Sequence, residues 1–149
     1  RGLMWSLVVI GVFVAATGLH AAVWAIALPV FAVLATVPIA NTSSQVLWQL
    51  KVPPALQGRV FAIRHMIANA IGPIAILLAG PLADRVFEPL LAADGSLASS
   101  VGSVIGTGPG RGIGLMYVIA GTVMAIIGIV GYAVPRIRNV ESELPDHVV

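Results

Sequence analysis

Formal charges are absent from long stretches of this chain, and the lengths of those stretches predict its elements. From Gly2 to Leu50 there are 49 residues without a charge. As one helix at about 1.5 Å per residue, they would be more than twice the roughly 30 Å hydrocarbon thickness of a bilayer. The run must fold back, and Thr17-Gly18-Leu19-His20 is the natural break, because a glycine and a titratable ring interrupt the apolar pattern there. Lys51-Val52-Pro53-Pro54 ends the second element, since neither proline can donate a backbone hydrogen bond. Two further uncharged stretches follow, His65 to Ala83 with Val60 to Ile63 extending it, and Gly112 to Pro135. Each meets the requirement of about 20 residues for a crossing. The pattern therefore predicts an all-α, polytopic transmembrane bundle with helices at about 3–18, 22–50, 60–87 and 112–135. An outer loop at 88–111, rich in serine and in Gly106-Thr107-Gly108-Pro109-Gly110, favours turns and flexibility, and 136–149 forms a polar tail.

Composition removes the alternatives. Of 149 residues, 58% are hydrophobic and 9% charged, against about 25% charged in ordinary globular proteins, too few to cover a water-facing surface. Disorder fails for the same reason. The absence of cysteine removes disulfides, thiolate metal sites and thiol nucleophiles. A net charge of +2 does not imply nucleic acid, because the basic residues are scattered among apolar runs and form no stripe with interleaved aromatics. They read better as an orientation signal. Arg1, Lys51, Arg59, Arg64, Arg136 and Arg138 fall on one face of the membrane, and Arg85 and Arg111 on the other. This bias predicts that both termini of the segment and the Pro53-Pro54 loop are cytoplasmic. Trp5 and Trp48 then sit near the inner interface and Trp24 near the outer. Opening on Arg1 with no leader pattern, the sequence reads as a piece of a longer chain.

Polarity within the spans is unevenly shared. The second helix holds Asn41, Gln45 and Gln49 at i, i+4 and i+8, which puts three amides on one face. The third adds Asn69 and, near its inner end, His65. An unpaired amide in hydrocarbon costs several kcal/mol, so these groups must meet water, a polar partner or a ligand. An interhelical hydrogen-bond seam and a solvated pathway both satisfy that requirement. Small residues at 25, 29, 32, 36, 40 and 43 line one stripe of the second helix, and Ala68, Gly72, Ala75, Ala79 and Ala83 line one on the third. Gly114, Gly121 and Gly128 repeat the device on the fourth, and such stripes let helices approach closely in lipid. Pro29 and Pro38 are bending points in a second helix too long for the slab.

Catalytic signatures are missing. His20, His65 and His147 lie on separate elements without a second ligand at i+4, so no metal site is expected. No GxSxG elbow is present, and Gly106 to Gly112 lacks the Lys-Ser/Thr ending of a phosphate loop. No carboxylate lies inside a span; Asp84 and Glu88 stand at the outer end of the third helix. The chain is therefore not expected to be an enzyme or to bind a cofactor, and any proton-coupling carboxylate is expected outside this segment.

The runs Asn41 to Arg64, with Val52-Pro53-Pro54-Ala55-Leu56-Gln57-Gly58-Arg59-Val60-Phe61-Ala62, and Gly80-Pro81-Leu82-Ala83-Asp84-Arg85-Val86-Phe87-Glu88-Pro89-Leu90-Leu91 resemble the major facilitator superfamily. The closest look is to its bacterial macrolide-efflux and siderophore-exporter branch, a likeness extended by Gly106 to Leu115 and Val140 to Asp146. This resemblance implies the last four helices of a twelve-helix antiporter in the bacterial inner membrane, multi-pass, exporting amphipathic small molecules by alternating access. Its partners would be membrane lipid, the substrate and the missing N-terminal helices of the same transporter, without which the piece is not expected to transport. Under the resemblance Asn41, Gln45 and Asn69 become substrate-path residues, and Gln49, Arg59 and Arg64 a cytoplasmic gate. Pro29, Pro38, Gly72-Pro73 and Gly80-Pro81 become helix hinges. Gly80-x-Leu82-Ala83-Asp84-Arg85 echoes the superfamily's cytoplasmic loop signature, but Phe87-Glu88 replaces its closing Gly-Arg and the charge bias places it outside, so it receives no gating role. A rival reading is a complete four-helix membrane scaffold or assembly subunit that carries nothing.

Overall fold

A computed structural model describes residues 2–139; Arg1, the side chains of Arg136 and Arg138, and residues 140–149, with His147 and the Val140 to Asp146 ending, lie outside the described residues. The elements are α1 (Gly2–Thr17), α2 (Val23–Lys51), α3 (Pro54–Leu82), a π-helical turn (Ala83–Phe87), α4 (Glu88–Leu90), α5 (Gly102–Ile105), α6 (Arg111–Ala133) and α7 (Pro135–Arg138), with no strand among the described residues. Three helical runs, Val23–Lys51, Pro54–Leu90 and Arg111–Ala133, are long and apolar enough to cross a bilayer. The chain is an all-helical membrane protein with at least these three crossings available to it.

Two differences from the expected elements have local causes. Helix α1 has 16 residues, just short of the roughly 17 to 25 a crossing needs. It stops where Gly18 N donates to Ala15 O (3.1 Å) and Leu19 N to Ala16 O (3.2 Å), tight turns that end the α pattern. Helix α3 begins at Pro54 rather than at 60. A proline at the first helical position loses nothing, because its missing N–H would have had no partner, so Pro53-Pro54 both ends α2 and starts α3.

Helix α1 lies between α2 and α6. Against α6 it presents glycine: a Cβ on Gly11 would stand 2.7 Å from Gly121 O and 2.9 Å from Ala125 Cα, and one on Gly18 would meet Gly114 O. Gly128 approaches Val8 as closely, so the seven-residue glycine spacing of α6 seats directly on α1. Toward α2, α1 meets the small-residue stripe: Ala25 is buried and Pro29, Ala32, Thr36, Ala40 and Ser43 are half-buried, while most of the helix's remaining residues are exposed. Close backbone approach is what holds helices together where lipid removes the hydrophobic drive.

Helix α3 stands apart from this trio and has no buried residue. It joins α2 near its start and α6 through the π-helical turn at its end. Segment 91–110, expected to be a flexible loop, is packed: Leu91, Ile105 and Leu115 form a buried cluster, covered by Leu19, Phe87, Leu97, Val101 and Val118. Backbone bonds from Leu97 N to Leu90 O (3.1 Å) and Gly108 N to Leu91 O (3.0 Å) close it.

Candidate functional site

The turn of the α2–α3 hairpin is fixed by one glutamine. Gln57 Nε2 donates to the carbonyls of Gln49 and Val52, both at 3.0 Å, and so satisfies acceptors that the end of α2 leaves open. Further along α3, Arg64 Nη2 donates to Ser44 Oγ at 3.0 Å. Its guanidinium lies over the Trp48 ring at 4.8 Å and the Phe61 ring at 5.7 Å, both within cation–π reach. Among the described residues Arg64 meets no carboxylate.

These contacts bring together two matched stripes. On α2 they are Asn41, Ser44, Gln45 and Trp48; on α3 they are Phe61, Arg64, His65 and Ala68. Both follow i, i+3, i+4 and i+7, one helical face each. Between them is a cleft of about 390 Å³ lined by Asn41, Gln45, Phe61, Arg64, His65 and Ala68. The volume lies within the range of about 300 to 1,000 Å³ typical of small-molecule sites. Chemically the cleft offers two neutral amides that both donate and accept, an imidazole, a guanidinium and an aromatic wall. That set binds and orients; it contains no activated nucleophile.

The expected path and gate residues separate. Asn41, Gln45 and Arg64 share the cleft. Asn69 stands one turn beyond His65 on the same side of α3, exposed and outside the cleft lining. The side chain of Gln49 is exposed and its backbone carbonyl, not its amide, makes the contact with Gln57. Arg59 is exposed on α3. Pro29 and Pro38 lie inside α2, and Pro73 and Pro81 inside α3, where each frees the carbonyl four residues earlier, that of Asn69 in the case of Pro73. A Cβ on Gly72 or Gly80 would meet no heavy atom within 4 Å.

Sequence reading missed Ser44, Trp48, Phe61 and Gln57. The helical spacing of the two stripes could have found the first three; nothing local marks Gln57. It also missed the role of Glu88, whose carboxylate accepts from Gly110 N and, at 2.9 Å, from Gly112 N, capping α6 from across segment 91–110. Other clefts are present. One of about 480 Å³ between Gly2 and the end of α2 is lined by Thr42, Ser43, Val46, Leu47, Leu50 and Lys51 and gathers none of the expected path residues. Another of about 420 Å³ between Gly80, Asp84 and Tyr117 has mostly apolar walls. Among the described residues no three His, Cys, Asp or Glu side chains gather to hold a metal. No family model, curated protein or solved structure matches the chain.

Proposed function

We propose that this chain is the C-terminal four-helix portion of a major facilitator exporter, a secondary active antiporter of the bacterial inner membrane. Its substrates would be amphipathic small molecules, macrolide-like or siderophore-like, moved by alternating access. In this reading α1, α2, α3 and α6 are the ninth to twelfth helices, α1 is a short fourth crossing, and both ends of the segment are cytoplasmic. Helices outside this segment complete the cavity and supply the energy-coupling carboxylate, since the two carboxylates of the Pro54–Leu90 run, Asp84 and Glu88, stand at its far end from the cleft and Glu88 is engaged by the amides of Gly110 and Gly112.

The observation that carries the proposal is the cleft, where the amides of α2 and the cation of α3 converge on one open space. Polar groups at membrane depth are tolerated where they line a pathway. The arrangement of helices supports the same reading. A glycine-sealed trio stands beside a helix attached mainly at its two ends, with Gly72-Pro73 in the unattached stretch. That is the layout of a wall and a bendable element, as alternating access requires.

The test is substitution in the intact transporter. Asn41→Ala or Gln45→Ala is expected to change the substrate profile of export while leaving the amount of folded protein in the membrane nearly unchanged. Loss of folded protein with unaltered export per molecule would mark the amides as an interhelical seam and favour the scaffold reading.

A further inference from the structure

The charge distribution around the cleft carries a statement about what it accepts. Every lining residue is neutral or basic: Asn41, Gln45, Phe61, Arg64, His65 and Ala68. The nearest carboxylate along α3 is that of Asp84, 20 residues beyond Arg64, about 30 Å along a helix. Among the described residues a cationic drug would find no counter-ion here.

Arg64 is also arranged for an anion. A guanidinium has five N–H donors in one plane. Its central carbon lies over the Trp48 ring at 4.8 Å and the Phe61 ring at 5.7 Å, and one donor goes to Ser44 Oγ. The remaining donors are in the plane of the group, at its edge, the geometry that recognises a carboxylate or phosphate through paired hydrogen bonds. Ser44 and the two rings hold the fork without neutralising it. The half-buried position of Arg64 strengthens the preference, because charges interact more strongly where water is partly excluded. Asn41 and Gln45 supply donors on the opposite wall.

From this we infer that the α2–α3 cleft takes the head of an anionic amphipath, a molecule with a phosphate or carboxylate on an apolar body, and discriminates against cationic amphipaths of the same size. Arg64 is the anion-binding residue, Ser44 and Trp48 are positioning residues, and Phe61 and Ala68 form the apolar wall. The inference rests on reading the cleft as a substrate path and narrows the proposed substrates to anionic, siderophore-like amphipaths, away from macrolides, whose amino sugars are cationic near neutral pH.

Trp48 provides the readout, since it touches the guanidinium. The full chain with Trp5→Phe and Trp24→Phe, held in phosphatidylcholine nanodiscs, is titrated with dodecyl phosphate and separately with dodecyltrimethylammonium. Dodecyl phosphate is expected to change Trp48 emission saturably, at a concentration lower by about tenfold or more, the equivalent of about 1.4 kcal/mol. Arg64→Gln abolishes that difference and Arg64→Lys keeps part of it. Equal responses to the two amphipaths, a stronger response to the ammonium, or no response to either overturns the inference, and this comparison needs no Arg64 variant. Nanodiscs containing phosphatidylglycerol test the other source of the same chemistry: a full response without any additive would assign the site to bilayer lipid and overturn a substrate role. Export by the intact transporter is measured independently, so its absence alongside a retained phosphate preference counts against the transporter reading alone.

Discussion

Gly121→Ala tests the packing that holds the trio together. The added methyl carbon would stand 2.8 Å from Ala15 Cα and closer still to Ala15 N and Gly11 O. All three are backbone atoms of α1, so no side chain can swing away. Carbon atoms rest at about 3.5 to 4.0 Å, so α1 must retreat by about 1 Å, and a gap of that size forfeits about a quarter to a half of each neighbouring dispersion contact. Overpacking of this kind costs about 1 to 3 kcal/mol, and a contact with backbone on every side belongs at the upper end. Alanine recovers about 1 kcal/mol in helix propensity. The net loss is about 2 kcal/mol, or about 30-fold in the α1–α6 equilibrium. Trp5 on α1 and Tyr132 on α6 have ring centroids 6.0 Å apart, which makes Trp5 emission a reporter of that interface. With Trp24→Phe and Trp48→Phe in place, titration with sodium dodecyl sulfate should separate the helices at a clearly lower detergent fraction in Gly121→Ala. Gly72→Ala, whose methyl meets nothing within 4 Å, should leave the midpoint where it is. If the two alanine variants separate at the same detergent fraction, the glycine contact does not hold α1 to α6.

Two other substitutions address the ends of the Pro54–Leu90 run. Glu88→Ala removes the carboxylate that accepts from Gly110 N and Gly112 N, a loss of about 0.5 to 2 kcal/mol for a helix cap; hydrogen exchange at those amides should quicken while that of mid-α6 holds, and unchanged exchange would refute the cap. Gln57→Ala leaves the carbonyls of Gln49 and Val52 without their side-chain donor, about 1 kcal/mol for each bond; trypsin should then cut after Lys51 faster, and an unaltered rate would show that the turn is held by other means.

Periodicity along single helices is legible in the sequence. The stripe at 25, 29, 32, 36, 40 and 43 is the least exposed face of α2, and the seven-residue glycine spacing of α6 is its contact face. What a periodicity lacks is the identity of its partner. Gly11 and Gly18 on α1 repeat the same spacing, and only their meeting with Gly121 and Gly114 shows that the two rows belong together. Segment 91–110 is harder to read because its apolar residues, Leu91, Leu97, Val101 and Ile105, are dispersed among serines and glycines. A buried cluster of three side chains needs no continuous run, so turn-forming composition conceals a packed cap. The cleft is half legible: Asn41 and Gln45 are visible as a stripe, whereas the pairing of Arg64 with Ser44 and Trp48 depends on how the hairpin closes.

Exposure on α3 has two meanings, and polarity separates them. Ile74, Ile76 and Leu77 are 56%, 76% and 74% exposed, which in water would demand a partner. In a bilayer it demands nothing, because lipid chains are as apolar as these side chains. The same holds for the outward rows of α6, where Ile126, Ile127 and Ile129 are all more than half exposed. An amide cannot be left to lipid in this way, since each unsatisfied group costs several kcal/mol there. Asn41, Gln45 and Asn69 are exposed, and Pro73 adds the carbonyl of Asn69 to the groups in need of a donor. The apolar faces of α3 and α6 therefore fit lipid as they stand. The side bearing Asn41, Gln45 and Asn69 fits only water, a ligand or further protein, so the amides and not the large hydrophobics mark the side of this bundle that lipid alone cannot cover.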